Sequence, residues 1–205
     1  MVDDQYQQYR RCLLDQLRQN QSVSVAPMFY DDFEIVSLAL NVGWIPVKDI
    51  SERLRDHLEI ARLVIEKDAY SFQYLSERLK DDTEFARFAI EKHSYLFQYL
   101  SERLKDDTEF ARFAIEKDAH NFQDISERLK NDRQCILTAA NRNPCFLINH
   151  PQFQDDDEIY LISKDKLMQY TREINPKFTE SFDPFFLFAY LPVLPSRLDE
   201  DDDLY

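Results

Sequence analysis

The string SERL recurs at Ser51, Ser76, Ser101 and Ser126, always 25 residues apart. Residues 76–92 and 101–117 are identical, SERLKDDTEFARFAIEK. A chain so self-similar folds as a series of like units. A unit this short cannot cover its own apolar face, and it gains a core by stacking on its neighbours. A more divergent copy comes first, where YDDFEIVSLALNVGW (30–44) aligns with KDDTEFARFAIEKHS (80–94), and a degraded start follows in DDDEI (155–159). About five repeats thus occupy residues 26–150.

The content of each unit is helical. A single Gly in 205 residues leaves no material for the turns of a β-sandwich or the phosphate loops of Rossmann and P-loop folds. Each repeat reads as two helices. The first is predicted to start at Asp31, Asp56, Asp81, Asp106 and Asn131, with Glu34, Glu59, Glu84, Glu109 or Gln134 three residues on, the spacing of a capping box. Behind it, Phe85, Phe88, Ala89 and Ile90 fall at helical spacing, as do Phe110, Phe113, Ala114 and Ile115. Gly43, Asp68, His93, Asp118 and Asn143 mark the stop, where a left-handed residue is expected. The second helix carries an apolar stripe at Phe72, Leu75 and Leu79, repeated at Phe97, Leu100 and Leu104 and at Phe122, Ile125 and Leu129. The expected fold is an all-α αα-solenoid of about five two-helix repeats with terminal caps.

Residues 1–25 are read as an N-terminal capping helix, apolar at Tyr6, Tyr9, Leu13, Leu14 and Leu17. Residues 151–205 supply a C-terminal cap and an acidic tail. Within them FDPFFLFAYLPVLP (182–195) is the most apolar stretch, and Pro184, Pro192 and Pro195 keep it from forming one long helix. It reads as a lid on the last repeat or as an exposed partner-binding or dimerising patch.

The segment FQYLSERLKDD, at 72–82 and 97–107, resembles the signature of a tandem helical-repeat family of unknown function, over roughly residues 31–131. Asp68, His93 and Asp118 stand where that pattern often has Gly. The resemblance implies a fold and no activity.

Of the net charge of −14, residues 1–50 and 51–150 contribute −3 each, and residues 151–205 contribute −8. An acidic surface repels phosphate backbones, which argues against direct nucleic-acid binding, and it speeds encounter with basic proteins. The polar N-terminus, the absence of any apolar run long enough to span a bilayer, and three cysteines without CxxC spacing point to the cytoplasm rather than to a membrane or an oxidising compartment.

No catalytic apparatus is expected. His57, His93, His120 and His150 occupy unlike repeat positions, so neither a zinc site nor another cofactor is foreseen. The SERL serines share one position four times over and read as small residues at a close helix approach. A Cys145–His150 dyad is read instead as packing beside Pro144. What remains is surface. Tyr70, Tyr74, Tyr95 and Tyr99 form a candidate contact stripe, and at the position of 74 and 99 the flanking copies carry Asp49 and Asp124, which suits exposure. Asp199, Glu200, Asp201, Asp202 and Asp203 form the second candidate. The expected function is a non-enzymatic protein-interaction module for a basic protein partner, in its narrower form an acidic inhibitor of the immunity, antitoxin or anti-defence type. The alternatives are a self-assembling structural protein and a partial nucleic-acid mimic acting through the acidic C-terminus.

Overall fold

The computed structural model describes residues 2–143 and 145–174 of the chain. The chain divides into two compact units, Met1–Lys130 and Asn131–Tyr205. Every element among the described residues is helical and none is a strand.

The first unit opens with α1 (Val2–Arg18), whose Leu13, Leu14 and Leu17 are buried. Tyr6 and Tyr9 both lay their rings on Phe29, at 5.2 and 5.5 Å. Ten-residue helices follow at the 25-residue interval: α2 (Phe33–Val42), then α4 (Leu58–Lys67), α6 (Thr83–Lys92) and α8 (Thr108–Lys117). Between them lie the four-residue helices α3 (Glu52–Arg55), α5 (Glu77–Lys80), α7 (Glu102–Lys105) and, after α8, α9 (Glu127–Lys130). α1 packs on α2, α2 on α4, α4 on α6 and α6 on α8. Each ten-residue helix turns the same stripe inward, Ile60, Ala61, Val64 and Ile65 in α4 and Phe85, Ala86, Ala89 and Ile90 in α6.

Three local expectations need correction. The first concerns the caps. Asp32, Asp82 and Asp107, not Asp31, Asp81 and Asp106, accept from the orphan N–H groups that start α2, α6 and α8. His57 holds the equivalent position before α4 and gives no side-chain bond. The doubled aspartates divide the work: Asp81 and Asp106 end the preceding short helix and the next residue starts the long one.

The second concerns the stop. Of the five expected stop residues only Gly43 is left-handed (φ 75°), and there Trp44 N–H reaches the carbonyl of Ala39 while Gly43 N–H reaches that of Leu40. Asp68, His93 and Asp118 leave their helices in extended conformations, φ −153°, −144° and −150°, so none of them needs glycine's freedom.

The third is that the second helix of each copy is broken. It consists of a 3-10 segment (Val47–Asp49, Ala69–Tyr74, Ser94–Tyr99, Ala119–Gln123) and then the four-residue helix. Leu75 and Leu100 sit extended at the break in the second and third copies, and the SERL serine starts the helix anew. The stripe survives the break, with Phe72, Leu75 and Leu79 all buried.

The second unit holds α10 (Arg133–Arg142), α11 (Phe146–Asn149) and α12 (Asp157–Ile174), with α10 packed on α12. Asp156 accepts from the N–H groups of Glu158 and Ile159 at the start of α12. Arg133 bonds Asp156 at 2.6 Å and Glu158 at 2.5 Å. These bonds hold the Asp156 carboxyl below its ordinary range, the Arg133 hydrogen bond being the strongest cause.

A candidate partner-binding face

The 3-10 segments of the first unit pack each on the next, so a residue at one position of the segment neighbours its counterparts one copy away. At the second position of two of them stand Tyr70 and Tyr95, their rings stacked with centroids 5.6 Å apart and planes 28° from parallel. Tyr70 is 71% exposed, the most exposed large apolar-bodied side chain among the described residues, and Tyr95 beneath it is half-buried. His93 lies against the other partner, its ring 5.7 Å from that of Tyr95. Burial raises the Tyr95 hydroxyl above its ordinary pKa, with smaller contributions from Tyr70, Tyr99 and the Asp68 carboxylate. These four groups therefore share one neighbourhood.

The other two tyrosines part company. Tyr99 is half-buried and leans on Phe72 of the preceding copy, 6.3 Å between centroids, so it contributes to the groove between copies. Tyr74 is 38% exposed. The acidic candidates Asp199, Glu200, Asp201, Asp202 and Asp203, and the apolar stretch 182–195, lie outside the described residues.

From N-cap to C-cap the four segments carry Asp49, Asp68, Asp118 and Asp124 against a single Lys48. The lysines that end α6 and α8 are engaged elsewhere: Lys92 Nζ sits 5.9 Å from the Phe88 ring centre and Lys117 Nζ 5.4 Å from that of Phe113. Burial pushes the Asp118 carboxyl up, but the bonds from the His120 backbone N–H and ring and from Ser94 outweigh it, leaving it below the ordinary range.

Behind the row, the SERL serines have a role the sequence reading missed. Ser76 Oγ accepts from Leu79 N–H at 3.2 Å and donates to Asp56 of the copy before. Arg78 adds three bonds to the same residue, from Nε to both carboxylate oxygens at 2.9 and 3.0 Å and from a terminal nitrogen to the backbone carbonyl at 2.8 Å. The same Asp–Ser–Arg clamp, at offsets of 20 and 22 residues, joins Asp31 to Ser51 and Arg53, Asp81 to Ser101 and Arg103, and Asp106 to Ser126 and Arg128. A backbone bond runs alongside, from Ser76 N–H to the carbonyl of Arg55 and from Ser101 N–H to that of Lys80. The four serines are hydrogen-bonding hubs, not merely small residues. Their spacing from Asp and Arg is visible in the sequence once those partners are sought.

No group of three or more His, Cys, Asp or Glu side chains among the described residues could hold a metal ion. Burial pushes the Cys145 thiol up, away from the thiolate that a nucleophile needs. Among the described residues no helix is long and apolar enough to cross a membrane.

Residues 57–150 are similar to a family of unknown function. The family is described as Domain of unknown function (DUF4116), and it matches three times in tandem, over residues 57–105, 82–123 and 107–150. The three matches begin at His57, Asp82 and Asp107, the residues that stand immediately before α4, α6 and α8. The matches thus open just before three of the ten-residue helices and are offset by 25 residues, each spanning nearly two copies. Both FQYLSERLKDD segments fall inside the matched span. No curated protein and no solved structure matches the chain.

Proposed function

We propose that this chain is a non-enzymatic protein-binding module. In this reading it is an αα-solenoid of about five 25-residue two-helix repeats whose row of 3-10 segments holds a partner protein. The observation that carries the reading is the stacked Tyr70–Tyr95 pair. Two aromatic rings from successive copies meet on the surface, and the outer one leaves most of its area to solvent. Tyrosine presents a large, stiff, amphipathic surface with little rotamer entropy to lose, which is why it is enriched where proteins bind one another. The narrower form, an acidic inhibitor of the immunity, antitoxin or anti-defence type that sequesters a basic protein in the cytoplasm, draws on the net charge of −14.

The test is affinity capture from the source cell with the full chain and with Tyr70→Ala, both read by mass spectrometry. The wild type is expected to retain one stoichiometric protein that the variant loses. Because Tyr70 is exposed, the variant should keep the thermal midpoint of the wild type. Equal retention by both would refute the tyrosine face as the binding site.

A further inference from the structure

The partner chemistry follows from what surrounds the stacked tyrosines, and this inference rests on the protein-binding reading above. We infer that the row of 3-10 segments takes an extended, arginine-bearing segment of the partner, with one guanidinium laid on the outer face of Tyr70 and bonded to Asp68. The outer face of Tyr70 is open, and Asp68, two residues before it, is exposed. A planar guanidinium can lie on an aromatic ring while its edge donates to a carboxylate, which an ammonium does less well. Asp68 spends one lone pair on Ser71 Oγ at 2.5 Å, and a carboxylate has others to offer.

The charge of the row points the same way. Asp49, Asp68, Asp118 and Asp124 lie on the first, second and fourth segments; Lys48 stands beside Asp49, while Arg55 and Lys80 are turned to the backbone carbonyls of Tyr74 and Gln73. A phosphate-bearing ligand would meet four carboxylates, whereas a basic peptide meets complementary charge at each end of the row and an aromatic platform between. Packed helices lie about 8–10 Å apart, and an extended peptide advances about 3.3 Å per residue. The repeat step therefore matches about three peptide residues, and arginines at every third position stay in phase with the copies.

The probe is a fluorescein-labelled peptide with arginine at every third position and serine between, titrated against the full chain by fluorescence anisotropy. Its control carries citrulline for arginine, which keeps the shape and removes the charge. Saturable binding is expected for the arginine peptide only. Tyr70→Ala should weaken it about tenfold, the order of one desolvated cation–aromatic contact, and Asp68→Asn should weaken it severalfold. Both positions are exposed, so circular dichroism of the variants should match the wild type. Absence of saturable binding would overturn the inference, as would equal binding of the citrulline peptide. Binding untouched by both substitutions would overturn it too, and would move the basic ligand to other acidic residues of the chain. If Tyr70→Ala abolishes capture of the cellular partner while the arginine peptide does not bind, the module stands and its partner is not recognised by arginine. If Tyr70→Ala leaves capture intact, both readings fall.

Discussion

Asn121 fills the position that Ser71 and Leu96 hold in the two preceding copies, and all three are buried. Its amide bonds the carbonyls of Ala114 at 3.0 Å, within its own copy, and of Ser94 at 3.2 Å, in the copy before. Asn121→Ala removes both bonds and leaves a small void, and should cost about 1–3 kcal/mol in a denaturant titration. Asn121→Leu, which restores the apolar filling seen at Leu96, should cost less than Asn121→Ala. The opposite ranking would mean that the amide bonds outweigh packing there. At Gly43 an added Cβ meets no atom within 4 Å, so only the backbone objects. Gly43→Ala should cost about 1 kcal/mol through its left-handed φ. Asp68→Gly should stabilise nothing, because the residue is extended and loses its bond from Ser71. The sequence shows Gly43, Asp68, His93 and Asp118 as equivalents. It does not show that a helix can end equally well by turning left-handed or by passing straight into extended backbone.

The clamp belongs to the scale of the element, since it ties the end of one short helix to the start of the next. Ser101→Ala removes the bond to Leu104 N–H at 3.3 Å together with the bond to Asp81, and should lower stability by about 1 kcal/mol, the usual loss for a helix N-cap. Ser101→Thr, which keeps the hydroxyl, should recover most of it. Asp31, Asp56, Asp81 and Asp106 all titrate below the ordinary carboxylate value of 3.8, first because the serine hydroxyl donates to the charged form and then because the arginine does. A carboxyl whose folded pKa is depressed favours the native state at every pH above its unfolded value. That contribution disappears as pH falls through the folded value. The thermal midpoint should therefore be insensitive to these four groups between pH 7 and 5 and fall below about pH 4, the unfolded range of aspartate. Asp81→Asn should flatten part of that slope. An unchanged acid limb in Asp81→Asn would show that the clamps do not set it. The capping box illustrates how far the element was legible. An Asp–Asp pair before a helix announces a start, yet which aspartate faces the helix depends on the short helix ending one residue earlier, and four residues carry too weak a period to reveal it.

Across the first unit, near-identical sequence yields near-identical contacts. Phe72 stacks on Phe85 at 6.1 Å and Phe97 on Phe110 at 6.3 Å, each ring belonging to the 3-10 segment of one copy and the long helix of the next. If each copy touches only its neighbours, as in the solenoid proposed above, a whole period is removable. Deleting residues 77–101 joins Ser76 to Glu102 and restores the SERL string at the junction. The shortened chain should fold with unchanged helicity per residue and a lower thermal midpoint, measured by circular dichroism. Loss of cooperative unfolding would count against nearest-neighbour stacking. The sequence by itself determined the helical class, the 25-residue step and most of the buried stripe, because apolar spacing can be counted along the chain. In α6 and α8 the structure buries Ala86 and Ala111 and leaves Phe88 and Phe113 half-exposed beneath cationic side chains. Only tertiary structure decided what fills the step. The second helix breaks into a 3-10 segment and a short helix because Ser76 and its equivalents bond an aspartate 20 residues earlier, a partner outside any local window. The tyrosines likewise divide by their neighbours. Tyr70 and Tyr95 stack in the open while Tyr99 leans on Phe72, since exposure is set by the next copy and not by the residue itself.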